Sequence, residues 1–195
     1  MTFQVVRCDD VKPRPWKNGG GVTRELLAWP TAEDWQVRIS VADIEKDGPF
    51  SGFPGIKRSI TVLSGAGIRL GEPLNVELQA SDPPATFPGD LAPDCELVRG
   101  PTRDLNAMFN EKAGTGSLQR WRSGDEAKSE WASFDLDQEP PTLFGVFTLA
   151  AATLRTRGGE VALPPMSLAW TTAPISDVQL LASPQAWAFH FTAHR

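Results

Sequence analysis

WQVRISVADI, residues 35–44, alternates without a break. Trp35, Val37, Ile39 and Val41 fall on one side, and Gln36, Arg38, Ser40 and Ala42 on the other, which predicts a half-buried β-strand. The apolar row requires a core. The second row leaves two readings open: Arg38 and Ser40 face either solvent or the mouth of a barrel. At a barrel mouth, Arg38 would stand beside Arg58. Two guanidiniums in one cavity suit a carboxylate, because each offers a bidentate fork.

The same rhythm extends to both sides. FQVVRC (residues 3–8) reads as a first strand. KPRPW cannot be a helix interior. GVTRELLAWP fits a short helix or a strand and ends at Pro30. After the Gly/Pro loop EKDGPFSGFPG, the run KRSITVLSGAGIRLG predicts a hairpin: a strand over 58–63, a tight SGAG turn and a second strand to Leu70. LNVELQA and CELVRG are further short strands, SDPPATFPGD is a proline-rich connection, and TRDLNAMFN opens the next unit. The polar stretch 114–130 reads as a loop or exposed hairpin. From TLFGVFTLAAATLRT onward the strand pattern returns, and Trp187, Phe189 and Phe191 alternate with Ala186, Ala188, His190 and Thr192.

Many short strands separated by turn signals predict an all-β sandwich or barrel. LRTRGGEVALPPMSLAWTT echoes LNVELQASDPPATFPGDLAP. We therefore expect two related β-barrel units in one compact chain, about 1–107 and 108–195, with an immunoglobulin-type sandwich as the alternative. The 17 glycines and 17 prolines fit short strands better than long helices.

Charge narrows the function. Against 24 acidic residues stand 19 basic ones, a formal net charge of −5, which argues against a nucleic-acid partner or an anionic membrane surface. No basic start precedes a long apolar core, so no signal peptide is expected, and no run approaches a membrane span. Cys8 and Cys95 are expected as free thiols in a cytoplasmic protein. His190 and His194 sit four residues apart on a predicted strand, about 13 Å along the backbone, too far for one metal ion. No HExxH, CxxC, GxSxG or P-loop pattern occurs. We expect no metal and no cofactor. The available chemistry is a set of carboxylates, arginines and amides.

KNGGGVTRE (residues 17–25) is the remaining unusual stretch. Three residues without Cβ permit positive φ and close approach, and their N–H groups could converge on an anion. The plain alternative is a bend between strands. In the first reading the loop lies at the barrel mouth, and Thr23 and Glu25 alternate into the pocket beside Arg38.

WKNGGGVTREL, WQVRISVADIEKDGPFSGFPGIKRSITVLSGAGIRL, FPGD and LVRGPTRDLNAMF, in this order from Trp16 to Phe109, resemble the HutD/Ves family. The resemblance implies a cupin-type fold with two barrels and an association with bacterial histidine utilisation. It implies a ligand from that pathway, urocanate or N-formylglutamate, whose binding moderates output; other members are linked to cold or stress responses. Most cupins hold a metal with several histidines, which this chain lacks. The family's motif positions fall on Trp16, Lys17, Asn18, Gly19, Gly20, Thr23, Glu25, Arg38, Ser40, Gly48, Phe50, Ser51, Arg58, Asp104 and Asn106.

Three functional readings follow. The first is a metal-independent protein that binds a small carboxylate through Lys17, Asn18, Gly19, Gly20, Gly21, Thr23, Glu25, Arg38, Ser40, Arg58, Asp104 and Asn106. The second is an isomerase or hydrolase with Glu25 as general base. The third is an interaction protein meeting a protein partner through its seven tryptophans. Binding ranks above catalysis because no catalytic pair is evident. A homodimer is compatible with all three.

Overall fold

The computed structural model describes residues 2–121, 142–175, 178–181 and 185–194. Every described element is a β-strand or a single 3-10 turn. No helix among the described residues is long and apolar enough to cross a membrane. The chain forms two compact units, Val11–Gly114 and a second made of Met1–Asp10 with Thr115–Arg195. The boundary expected near residue 107 therefore moves: TRDLNAMFN does not open the next unit but lies inside the first, and the opening strand belongs to the second.

That opening strand is β1 (Gln4–Arg7). The Val11–Gly114 unit then contains β2 (Arg14–Pro15), β3 (Gly21–Pro30), β4 (Trp35–Ile44), β5 (Gly48–Pro49), β6 (Ile56–Ser64), β7 (Ile68–Leu70), β8 (Val76–Leu78), β9 (Ala85–Pro88), β10 (Asp94–Leu97) and β11 (Thr102–Asn110). They form a six-stranded sheet ordered β2-β3-β4-β11-β6-β9 and a four-stranded sheet ordered β5-β10-β7-β8. All pairs in both sheets are antiparallel.

The other unit holds β1, β12 (Gly114–Trp121), β13 (Leu143–Thr148), β14 (Ala152–Thr156), β15 (Gly159–Leu163), β16 (Ser167–Thr171), β17 (Gln179–Leu181) and β18 (Ala186–Ala193). Its sheets run β1-β16-β13-β18-β12 and β15-β14-β17. Phe144, Val146, Ala169 and Ala188 of the larger sheet share one apolar cluster with Leu154, Leu163 and Leu180. Of the polar stretch 114–130, the part up to Trp121 is strand; the rest lies outside the described residues.

β3 resolves the helix-or-strand ambiguity of GVTRELLAWP: it pairs with β4 along its length, with irregularities between Glu25 and Leu27 and between Trp29 and Pro30. The stretch SDPPATFPGD is more than a connection, since Ala85–Pro88 pair with β6 at the sheet edge, where proline is tolerated. The hairpin expected across SGAG is not formed. β6 pairs with β11 and β9, whereas β7 pairs with β10 and β8 in the other sheet. The SGAG segment is instead a corner between sheets. Gly65 and Gly67 have φ of +100° and +112°, and a Cβ on Gly67 would meet the Leu78 carbonyl oxygen at 2.3 Å. Both glycines answer to positive φ and a neighbouring backbone, a requirement that a hairpin turn shares. Local sequence therefore could not tell corner from hairpin.

The corner closes a core. Ile60 and Val62 of β6 share an apolar cluster with Ile68, Leu70, Leu78 and Cys95 of the four-stranded sheet. The opposite face of the six-stranded sheet is equally dry: Val37, Ile39, Val41, Leu105, Ala107 and Phe109 are all 0% exposed. With one face sealed in this way, register is strongly specified, because a one-residue slip would exchange the two rows of every strand.

Candidate functional site

The alternation of β4 now acquires a destination. Arg38, Ser40 and Ala42 do not face open solvent but line a cavity of about 620 Å³ within the Val11–Gly114 unit. Strand register arranges its floor in three rows. Met108 of β11 is the partner of Arg38 on β4 and of Arg58 on β6. Asn106 is likewise flanked by Ser40 and Ile60, and Asp104 by Ala42 and Val62. β3 extends two rows, since Thr23 pairs with Ala42 and Glu25 with Ser40. One edge of the floor is thus cationic, the middle is amide and hydroxyl, and the far edge is acidic.

Arg58 is 4% exposed. Its guanidinium carbon lies 4.9, 5.6 and 5.4 Å from the ring centres of Phe50, Phe53 and Phe87. The rings' negative faces favour the cation that burial disfavours. Nη1 donates to the Ser51 carbonyl at 3.3 Å, but Nε has no hydrogen-bond partner. Burial pulls the Arg58 pKa down to about 10, against the pull of Asp104, so it remains a cation at neutral pH. Phe50 and Phe53, from the loop before β6, thus shape this arginine's surroundings.

Asp104 is 1% exposed and its Oδ1 has no partner. Burial pushes its carboxyl up to about 7; Arg58 opposes the rise and Asp43 adds to it. Asn106, also buried, has an unpartnered Oδ1. Three buried polar atoms left unsatisfied on one cavity wall are unusual, since such groups are ordinarily hydrogen-bonded.

Arg38 is held differently. Its Nε donates to Glu25 Oε2 at 2.7 Å, both side chains being about one-fifth exposed, and its guanidinium carbon lies 6.0 Å from the Trp35 ring centre. Glu25 does not line the cavity; it orients and neutralises Arg38. The expectation that Glu25 points into the pocket as a general base is corrected accordingly. Asp43, on the opposite row of β4, is bonded by Arg24 and Arg103, and although burial opposes it these bonds hold its carboxyl below the usual range.

The triple glycine is a turn. Gly19 has φ of +66° and its N–H donates to the Trp16 carbonyl at 3.1 Å. The Gly20 N–H donates to Asn18 Oδ1 at 3.0 Å. The Gly21 carbonyl accepts from the Trp16 N–H at 2.9 Å, and a Cβ there would lie 2.2 Å from the Asp43 carbonyl oxygen. The Gly19 and Gly20 amides are therefore consumed within the loop, and Gly19, Gly20 and Gly21 do not line the cavity. The loop still frames the site, because Lys17, Asn18 and Thr23 do line it. Trp16 is braced there, its indole N–H donating to Thr23 Oγ1 at 2.7 Å.

Of the expected residues, the structure brings Lys17, Asn18, Thr23, Arg38, Ser40, Arg58, Asp104 and Asn106 to one cavity. The sequence reading missed Met108 and Arg14 as lining residues. Met108 was legible, since it continues the alternation of Asp104 and Asn106 along β11. Arg14 carried no signal beyond its neighbouring prolines. A cupin-like metal does not fit this cavity: a single carboxylate, Asp104, stands against three guanidiniums, Arg14, Arg38 and Arg58, and no histidine is among the described lining residues. Among the described residues no group of three or more His, Cys, Asp or Glu is placed to hold a metal ion.

The family model for HutD matches residues 8–189. An uncharacterised 21.2 kDa protein from the hutC 3′ region of Pseudomonas putida is 37% identical over 127 residues, 63% of this chain and 65% of the relative. Protein Ves of Citrobacter koseri is 38% identical over 105 residues, 51% of this chain and 55% of Ves. The chain thus spans between about half and two-thirds of these curated relatives' length. HutD from Pseudomonas fluorescens SBW25 is 26% identical in structure-based alignment, with a TM-score of 0.77 and 100% of both chains covered. A cupin 2 conserved barrel domain protein from Leptotrichia buccalis has a TM-score of 0.53 at 10% identity over 98% of this chain and 96% of its own, a likeness of fold alone. The chain belongs to the HutD/Ves family, and its fold is of the cupin type.

Proposed function

We propose that the Val11–Gly114 unit binds a small carboxylate, and that in this family setting the ligand is urocanate or N-formylglutamate, bound to moderate histidine utilisation. One observation carries the reading: Arg58, a buried cation whose Nε has no partner, is among the residues lining a cavity of a size suited to a small molecule. An arginine buried without a paired carboxylate is costly in the empty protein. A ligand carboxylate would supply the guanidinium with an acceptor and an opposite charge together. Arg38, Arg14 and Lys17 line the same cavity and give it a basic rim despite the chain's acidic balance.

Calorimetric titration with urocanate and with N-formylglutamate tests the reading. Binding of at least one at roughly millimolar protein is expected, and Arg58→Met should abolish it. No heat with either ligand, or equal affinity in Arg58→Met, refutes the proposal.

A second reading has one observation in its favour. Asp104, near neutrality in its proton affinity and facing the cavity, is placed for proton transfer to a bound carboxylate ligand, the role first expected of Glu25. Conversion of either ligand during prolonged incubation, followed by NMR and lost in Asp104→Asn, would establish it. Docking of a protein partner gains nothing comparable, since Val5 is the one large apolar side chain exposed among the described residues.

A further inference from the structure

The row order of the floor constrains the ligand beyond its carboxylate. The cationic row is Arg38, Met108 and Arg58, and the acidic row contains Asp104. Four residues of β11 separate the two, about 13 Å between backbones. Arg58 and Asp104 make no ion pair with each other, although each charge acts on the other; both residues line this cavity, and each has one buried polar atom, Arg58 Nε and Asp104 Oδ1, without a partner. Between them stands Asn106, whose amide can turn to present either end. An anion alone would satisfy Arg58. It would leave the Asp104 carboxyl without a donor and would add a like charge to a space that already holds a carboxyl group.

We propose that the ligand is two-ended: a carboxylate seated at the Arg58 edge and, toward the far end of the same strands, an N–H or O–H donor whose hydrogen bond Asp104 accepts. This rests on the carboxylate-binding reading above. The donor end supplies what Asp104 lacks. A ligand missing it leaves a buried acceptor unpaired, and sites of that kind reject such ligands strongly. Thr23 closes the same row and is already committed as an acceptor to the Trp16 indole. The charged groups acting on Asp104 are Arg58 on β6 and Asp43 on β4. Because burial raises its carboxyl to about 7, the accepting, ionised form prevails at pH 8.

The experiment compares two ligands that differ by one atom group. N-methylglutaramate carries a carboxylate and an amide N–H; monomethyl glutarate has an ester oxygen in place of that N–H. Both are flexible, and the succinate and adipate homologues vary the spacing. Calorimetry at pH 8 on the full chain is expected to show the amide binding on the order of tenfold or more tighter than its ester at the best spacing. In Asp104→Leu, checked for folding by circular dichroism, the preference should fall to within about twofold. Equal binding of amide and ester by the wild-type protein overturns the two-ended ligand while leaving the carboxylate reading intact. A preference that persists in Asp104→Leu also overturns it, since the donor is then recognised elsewhere. No binding of any homologue beside binding of urocanate or N-formylglutamate overturns the two-ended ligand alone, and no binding of any of them overturns both. Should Asp104→Leu not fold, the wild-type pair decides alone.

Discussion

Asp104 gives the most quantitative test of how this site is built, and Asp104→Asn is the perturbation. In the unfolded chain its carboxyl titrates near 3.8, and in the folded protein burial raises it to about 7. Below pH 3.8 both states hold the proton and the residue costs nothing by ionisation. As pH rises, the unfolded chain releases the proton first, so stability falls until the folded carboxyl also ionises near pH 7, and is level above that. The separation of about three pH units, at about 1.4 kcal/mol per unit, makes the full cost about 4 kcal/mol. Roughly 2–3 kcal/mol of it accrues between pH 5 and pH 8. Asparagine keeps the shape without the charge and removes this term. The thermal midpoint of Asp104→Asn relative to wild type, followed by circular dichroism without ligand, should therefore rise by roughly 5–10 °C on going from pH 5 to pH 8. All other titrating groups are common to both proteins and largely cancel. A gap that stays constant with pH, or one that narrows, would show that burial of the Asp104 carboxyl does not outweigh the pull of Arg58, and the electrostatic argument for the site would fail.

The glycine turn predicts contrasting effects within three residues. Gly21→Ala should cost upwards of about 2 kcal/mol in denaturant unfolding, because its Cβ would press on the Asp43 carbonyl oxygen. Gly19→Ala should cost only about 1 kcal/mol from its positive φ and leave carboxylate affinity unchanged, since its N–H is already bonded to Trp16. Glu25→Gln should change stability by less than about 1 kcal/mol, the ion pair being partly exposed, and should tighten carboxylate binding by releasing Arg38; loss of binding in calorimetry would contradict the assignment of Glu25 as a competitor for Arg38. Burial, with Asp104 and Asp47, pushes the Cys95 thiol up to about 12, so it should resist a thiol reagent at pH 8 in the native protein and react once guanidinium unfolds it.

Alternation in WQVRISVADI was enough to define a strand, because side chains on a pleated strand exchange faces at every residue whatever surrounds them. The same period placed Arg38 with Ser40 and Asp104 with Asn106 on common faces, so most of the cavity floor could be listed from one dimension. Period does not say what covers a face. Arg38 at a cavity wall and Arg38 in solvent have the same neighbours in sequence. Only the corner at Gly65 and Gly67, sending β7 into a second sheet, and the placement of β11 between β4 and β6 decide between them. Those choices rest on contacts between residues far apart in the chain. Burial is likewise a tertiary quantity, so the strained proton affinity of Asp104 and the unpartnered Nε of Arg58 had no local signature. Residue types set which charges exist and which strand row carries them; the packing of two sheets decided that Arg58 and Asp104 would be buried, without an ion pair, on opposite rows of one cavity floor.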